Sequence, residues 1–239
     1  LHVMPRDGQA GDPCYRGFQR ALAEGALPFC CQGPDNGLCV EGGQTLGYEL
    51  VDQLREANAD LDALFVQVGG GALASACVSS FVEAERSGRV PRLPRLYTVQ
   101  TTGAAPLARA YERVLARFPA AARPQETEAI DEALGHAAAH RHEYMWPWEE
   151  TPASVAHGIL DDETYDWLAV LEGLLRSGGA PLVVSEARLR EAQQQIADHS
   201  EIAADHTGTA GLAGWIEARQ RGLVGDDERA TVLLTGRRR

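Results

Sequence analysis

The fold is decided by the stretch LDALFVQVGGGALASACVSSFVEAERSG, which spans residues 61–88. An apolar run of strand length breaks at three glycines and continues as a segment of small residues, an order that predicts a strand, a glycine turn and a helix. Glycines between a buried strand and a helix let the backbone approach an anion, which the N–H groups and the helix dipole then bind. The turn is therefore a candidate phosphate site. The alternative is a plain glycine turn that allows close strand–helix packing.

The same order of elements recurs along the chain. LPRLYTVQ, residues 93–100, predicts a second strand, and the helix that follows has Pro106 in its first turn. The strand APLVV leads into a helix with Ser185 as its N-cap, and a strand within residues 230–236 closes the pattern. Strands that alternate with helices predict an α/β fold, with a mostly parallel sheet covered by helices.

Other elements are predicted from apolar spacing and from cap and turn residues. They are a strand at the apolar start 1–5, a helix over 16–25, a strand and then a loop over 28–43, a helix N-capped by Thr45, a helix over 126–142, and a helix opened by Asp161 and Asp162 and ended by Gly178 and Gly179. The abrupt apolar start suggests a truncated or processed chain.

The amino-acid composition argues against nucleic acid and membranes as binding partners. The chain has 239 residues and a formal net charge of −12, so it offers no general basic surface for nucleic acid or an anionic membrane. No stretch approaches the ~20 apolar residues of a spanning helix, and the first residues lack the plan of a secretion signal. These features predict a cytoplasmic protein that binds neither nucleic acid nor membrane.

Two residue types restrict the chemistry. All 22 basic side chains other than histidine are arginine, and there is no lysine, so the chain cannot form a Schiff base through a side-chain amine. The five cysteines include no C-x-x-C pair, which favours reduced, structural thiols over a zinc site or a disulfide framework.

Five segments carry a family resemblance when they are taken in order. They are EGGQTLGYELVDQL (41–54), VQVGGGAL (66–73), LPRLYTVQTTGAAPLARA (93–110), DHTGTAGLAG (205–214) and TVLLTG (231–236). Together they resemble the carboxy-terminal portion of fold type II pyridoxal-phosphate enzymes, the tryptophan-synthase-β-like group, and most of all threonine synthase and threonine dehydratase relatives. The resemblance covers nearly the whole chain and implies pyridoxal 5′-phosphate as the cofactor.

The resemblance also implies roles for individual residues. The backbone N–H groups that would bind the cofactor phosphate are those of Gly69, Gly70, Gly71, Ala72 and Leu73. Thr235 would hydrogen-bond the pyridine nitrogen. A neutral hydroxyl there leaves the nitrogen unprotonated, and this weaker electron sink favours β- and γ-elimination or replacement over transamination. Without the other motifs, Thr235 would be interpreted as a β-branched strand residue before a turn glycine.

The sequence departs from the family pattern in several places. The lysine that binds the cofactor and the S-x-N-type loop that binds the substrate carboxylate have no counterpart in residues 1–239. Asp205, His206 and Thr207 stand where relatives tend to have Glu-Pro-Ser, so Thr207 and Thr209 receive no assigned role. No catalytic residue is therefore assigned to this chain.

Two hypotheses of function follow. In the first, the chain is the cofactor-binding portion of an amino-acid lyase or synthase, inactive alone, which needs a missing amino-terminal segment or subunit that carries the lysine. Residues 1–40 would then be a remnant of a smaller domain, and residues 41–239 the cofactor-binding portion. The substrate would be a small amino acid, and the family analogy implies a homo-oligomer. In the second, the chain is a non-catalytic, lysine-free module that binds a phosphorylated ligand or a partner subunit.

Two further motifs receive other interpretations. His136 and His140 lie one helical turn apart and could bind a metal, but no H-E-x-x-H pattern accompanies them, so a surface helix is favoured. The segment WPWEETP, residues 146–152, is interpreted as a packed loop, with the lining of a substrate entrance as the alternative.

Overall fold

The computed structural model describes residues 3–5, 13–31, 33–118 and 127–237. Its sheet has four strands, β1 (Ala63–Gln67), β2 (Arg95–Thr101), β3 (Ala180–Val184) and β4 (Ala230–Val232). Their order across the sheet is β3-β2-β1-β4, and every pairing is parallel. The predicted α/β fold with a parallel, helix-covered sheet is confirmed.

Helices cover both faces of this sheet. They are α1 (Pro13–Ala23), α2 (Gly37–Glu56), α3 (Ala72–Arg86), α4 (Pro106–Leu115), α5 (Thr127–Ala139), α6 (Arg141–Tyr144), α7 (Trp167–Ser177), α8 (Glu186–His199) and α9 (Ala210–Gln220). Two predicted boundary residues are confirmed. The Ser185 hydroxyl accepts a hydrogen bond from the Arg188 N–H at 3.2 Å and caps α8, and Gly178 ends α7 in the left-handed conformation with a φ of 69°.

The alternation of side chains along β1 sets the two layers of the core. Leu64, Val66 and Val68 belong to a large apolar cluster with residues of α3, α4, α5 and α7. Phe65 joins a smaller cluster on the α9 side. Helix α9 approaches closely there because Gly211 has no Cβ. A Cβ at that position would lie only 3.2 Å from the Phe65 carbonyl oxygen. The central strand β1 is therefore buried on both faces, as a parallel sheet requires.

Three predictions near the amino terminus are wrong. Residues 3–5 and 28–31 form no strand, and α2 begins at Gly37. Thr45 lies inside that helix, where its hydroxyl donates to the Gly42 carbonyl at 2.8 Å. Glycine usually weakens a helix, but here a Cβ on Gly43 would lie 2.9 Å from the Ala76 Cβ. Gly43, one of the glycines that suggested a loop, thus allows α2 to pack closely on α3.

A fourth prediction, a helix opened by Asp161 and Asp162, is also wrong. Asp161 and Asp162 do not open a helix, because α7 begins at Trp167. Residues 160–166 form an irregular segment instead. This segment crosses the glycine turn after β1, and the contacts there take the place of helical hydrogen bonds. The proposed division of the chain at residue 40 falls inside α2 and stays a prediction.

Candidate functional site

The strand order places the candidate site at a topological switch point. From β1 the chain moves outward to β2 and β3, and it then returns to add β4 on the other side of β1. In open parallel sheets, ligands bind in the crevice outside the carboxyl ends of the strands at such a switch. The glycine turn follows β1 and Thr235 follows β4. The two segments that the sequence singled out thus follow the two strands that flank the switch point, where such a crevice is expected.

The glycine turn forms the start of helix α3. Gly71 is the N-cap residue, with a φ of 102°, and no side chain caps the helix. Ala72 and Leu73 are the first residues of the helix, where N–H groups have no intrahelical acceptor. The uncapped start of a 15-residue helix supplies amide donors and the positive end of a dipole at the mouth of the crevice.

The irregular segment 160–166 packs directly against this turn. The Asp166 N–H donates to the Gly70 carbonyl at 2.9 Å. A Cβ on Gly70 would lie 3.2 Å from the Tyr165 ring, and one on Gly71 would lie 3.1 Å from the Thr164 methyl group. The glycines are therefore needed for packing, whatever the turn binds. These contacts support the alternative of a packing turn, and the phosphate site at the same residues stays a prediction.

The covering segment is strongly acidic. A Cβ on Gly69 would collide with the Asp161 carboxylate, so that carboxylate lies beside the turn. Asp162, Glu163 and Asp166 are each less than 8% exposed. Burial raises the pKa of Asp166, although the N–H group of residue 33 partly offsets this shift through a hydrogen bond of 3.2 Å. Negative charge at this position stabilises the positive end of α3 and opposes an incoming anion.

Thr235 lies on the other side of the crevice. It is exposed, three residues beyond β4, and its hydroxyl accepts a hydrogen bond from the Gln67 side-chain nitrogen. Gln67 is the last residue of β1 and is 5% exposed. The structure therefore links the end of β1 to Thr235 by a direct contact. Sequence reasoning missed Gln67, because an amide inside a buried apolar run was counted simply as strand.

The hydrogen-bond donors of the glycine turn and Thr235 are of the kinds that would bind a phosphorylated aromatic cofactor. Helix N-terminal amides suit a phosphate, and an exposed threonine hydroxyl suits a ring nitrogen. A Cβ at any of the three glycines would crowd the side chains packed over the turn, among them those of Asp161, Tyr165 and Asp166. Asp161 opposes a dianion at this place, so occupation of the turn requires its carboxylate to move aside or to be neutralised.

The loop before α9 has mainly structural contacts. Asp205 accepts a hydrogen bond of 2.7 Å from the Gly208 N–H, and Thr207 accepts one of 3.0 Å from the Gly158 N–H. The Thr209 hydroxyl donates to the Asp205 carbonyl at 3.0 Å. Thr207 thus ties this loop to the segment that covers the glycine turn.

Gln100 is a second residue that sequence reasoning missed. It is 1% exposed, and its Oε1 accepts the N–H groups of Leu107 and Ala108 at 3.0 and 3.1 Å. These are amides of the first turn of α4. The glutamine of the segment QTTGAAP therefore caps α4 from the neighbouring strand, which explains its place in the pattern without a ligand.

The tryptophan-rich segment is a packed loop in this structure. The Arg109 guanidinium lies 3.7 Å from the Trp146 ring centroid and 5.2 Å from that of Trp148. It also contacts both Glu149 carboxylate oxygens, at 2.9 and 3.0 Å. These contacts hold the loop against α4.

His136 of α5 stacks on His140, which follows the end of that helix and precedes α6. The His136 and His140 ring centroids lie 4.0 Å apart, and His136 Nδ1 lies 2.9 Å from the Tyr144 hydroxyl. Across the ranges that the structure describes, no three histidine, cysteine, aspartate or glutamate residues form a metal-binding group. Within the same ranges no helix is both long and apolar enough to cross a bilayer.

Comparison with known families gives one match over nearly the full chain. The model described as pyridoxal-phosphate dependent enzyme matches residues 3–236. Among curated proteins, threonine synthase of Methanocaldococcus jannaschii is 24% identical over 197 residues, which cover 82% of this chain and 41% of that protein. The chain thus spans less than half the length of this relative.

Solved structures share the fold. The threonine deaminase of T.th. aligns with a TM-score of 0.60 and 20% identity, over 86% of this chain and 60% of that one. Diaminopropionate ammonia lyase of Escherichia coli aligns with a TM-score of 0.60 and 13% identity, over 95% of this chain and 53% of that one.

Proposed function

We infer that this chain, which belongs to the family of pyridoxal-phosphate dependent enzymes, provides the cofactor-binding part of a threonine synthase- or dehydratase-like enzyme. Enzymes of this family use pyridoxal phosphate and act on small amino acids. The reaction would be a β- or γ-elimination or replacement. The chain would act within a longer polypeptide or with a second subunit, and as a homo-oligomer.

One observation carries this proposal. The glycine turn and Thr235 follow adjacent parallel strands, β1 and β4, at the switch point of the sheet. Two donor groups of different kinds thus face one crevice. A glycine turn that served only for packing would need no hydroxyl on the neighbouring strand end.

Each residue of the site has a simple task in this proposal. The amides of Gly69 to Leu73 bind the phosphate, and the Thr235 hydroxyl binds the ring nitrogen. Pyridoxal phosphate, when bound, supplies the electron sink that amino-acid chemistry at the α-carbon requires. The segment 160–166 covers the turn and excludes water from it, but Asp161 must first move aside for the phosphate.

The base of the reaction comes from outside these 239 residues. The chain contains no lysine, and no other side-chain amine can bind the cofactor aldehyde covalently. We therefore expect the chain alone to bind the cofactor without turnover. A lysine-bearing polypeptide would restore the reaction.

Calorimetric titration of the 239-residue chain tests the binding role. The probe is pyridoxamine 5′-phosphate, which has no aldehyde and so cannot react with the chain's amino terminus. We expect saturable binding by the unchanged chain and none by Gly70→Leu, with Gly135→Leu as a control in α5, where nothing lies within 4 Å of the added Cβ. Binding retained by Gly70→Leu would refute the assignment of the turn.

The absence of lysine also favours a second candidate. In this alternative, the chain is a non-catalytic module that binds a phosphorylated ligand or a partner subunit. The two candidates differ in one assay. A lysine-bearing polypeptide added to the chain should release the β- or γ-substituent of an amino acid in the first case, measured as keto acid from threonine or serine or as phosphate from a γ-phosphorylated amino acid, and neither product in the second.

A further inference from the structure

The side chain of Gln67 is held in one orientation by the two groups that it contacts. Its Nε2 lies 3.3 Å from the Leu233 carbonyl oxygen and also contacts the Thr235 hydroxyl. A carbonyl oxygen can only accept, so the amide must present its NH₂ group to this side. The two hydrogens of that group then serve Leu233 and Thr235.

This orientation decides the role of the Thr235 hydroxyl. A hydroxyl has one hydrogen to donate and two lone pairs that accept. Since Gln67 donates to Thr235, the Thr235 oxygen accepts on that side. Its own hydrogen stays available for a different acceptor. Thr235 is exposed, so this hydrogen can reach a ligand in the crevice.

Burial of the Gln67 amide destabilises the fold, which indicates that the residue has a functional role. The side chain is 5% exposed, and its Oε1 has no hydrogen-bond partner among the described residues. A buried acceptor without a partner destabilises the fold. An apolar residue would fit the strand without this cost. A Cβ on the neighbouring Gly211 would lie 3.2 Å from Oε1, so there is little room for the amide to turn.

We propose that Gln67 is a positioning residue that makes the Thr235 hydroxyl a hydrogen-bond donor to the unprotonated ring nitrogen of the cofactor. The inference rests on the proposed function, because it presumes a ring in the crevice. The proposal also explains why the hydroxyl donates. The buried Gln67 amide donates to a lone pair of the Thr235 oxygen, which leaves the hydroxyl hydrogen for the ring nitrogen. Gln67 touches neither substrate nor cofactor in this role.

The experiment compares two probes without an aldehyde, pyridoxamine 5′-phosphate and its 1-deaza analogue, in which a C–H group replaces the ring nitrogen. Calorimetric titration of the full 239-residue chain gives the ratio of the two affinities. We expect a preference of about fivefold for pyridoxamine phosphate, the size of one neutral hydrogen bond. Gln67→Met removes the donor and keeps the side-chain length, so the preference should fall to near one while the affinity for the deaza analogue is unchanged.

A second variant, Gln67→Glu, tests the same inference if Gln67→Met does not fold. Gln67→Glu has nearly the same shape, but its carboxylate accepts the Thr235 hydrogen, and the preference should again be lost. Circular dichroism melting curves establish that each variant is folded. A preference that persists in a folded Gln67→Met or Gln67→Glu chain overturns the inference.

The possible failures can be told apart. If the unchanged chain binds neither probe, the proposed function and the inference both fall. If it binds both probes equally, the contact with the ring nitrogen falls and the phosphate site stands. If the variants keep the preference of the unchanged chain, the role of Gln67 alone is refuted.

Discussion

The Asp161 carboxylate lies against Gly69, where a Cβ on that glycine would collide with it. An acidic side chain thus occupies the neighbourhood of the amides that would bind a phosphate. The two negative charges would repel each other, so this contact sets a cost on ligand binding that the sequence pattern alone does not show.

Replacement of Asp161 by asparagine tests that cost. Asparagine keeps the size of the side chain and removes its charge, so we expect the affinity of the 239-residue chain for inorganic phosphate and pyridoxamine phosphate to rise about tenfold. Calorimetric titration measures the change. Asp227→Asn is the matched control, because Asp227 is exposed and lies before β4, at the opposite end of the strand. Equal gains in both variants would point to net charge alone.

Gly71→Ala should destabilise the fold by about 1–3 kcal/mol, since Gly71 has a φ of 102° and a side chain there is strained. The added Cβ would also lie 3.1 Å from the Asp166 Cβ. Urea unfolding followed by circular dichroism gives the free energy of unfolding. In the control Gly135→Ala, the residue lies in α5 with open space around it, and stability should rise by about 0.5–1 kcal/mol. A neutral Gly71→Ala variant would contradict the assigned conformation.

The raised pKa of Asp166 predicts that the stability of the fold depends on pH. Its pKa is raised in the folded chain by burial, so between the ordinary value of 3.8 and the raised value the folded state binds more protons than the unfolded state. The free energy of unfolding therefore falls as the pH rises through this window. Asp166→Asn can still accept from the N–H group of residue 33, and it should show a smaller fall and a higher stability at neutral pH. Urea unfolding at a series of pH values from mildly acidic to neutral is the measurement. Parallel curves for the two chains would refute the prediction.

Arg109→Lys should destabilise the fold by about 1–2 kcal/mol, because a lysine cannot reproduce the planar contact with Trp146 and the paired hydrogen bonds to Glu149. Tryptophan fluorescence during urea unfolding reports both the stability and the loop. Arg113 is the control, since it is exposed and its guanidinium lies 4.7 Å from the Trp146 ring centroid. We expect Arg113→Lys to cost less, and equal effects would argue against a special role for Arg109.

Much of the sheet could be predicted from the sequence, because its strands are continuous apolar runs with clear stops. The run before Gly69 and the run before Thr101 both form strands of the central sheet. Pro106 and Ser185 mark helix starts correctly, since each acts through its own backbone or side chain. Such local signals need no knowledge of the rest of the chain.

The errors arise where distant contacts decide the structure. Gly43 is typical of a loop, yet it lies in α2 because it allows that helix to approach Ala76 of α3. Asp161 is typical of a helix start, yet it lies in the segment over the glycine turn. Gln67 and Gln100 could not be distinguished from ordinary strand residues, because their hydrogen-bond partners are distant or belong to the next helix.

The pairing of β4 with β1 has a consequence for biosynthesis. Gln67 and Thr235 are 168 residues apart in the chain, so the ribosome has completed β1, β2 and β3 well before the strand that closes the crevice emerges. During that interval one edge of β1 has no neighbour, and such an edge can pair with another nascent chain. We expect a chaperone that shields open strand edges to raise the yield of this protein more than it would for a sheet assembled in chain order.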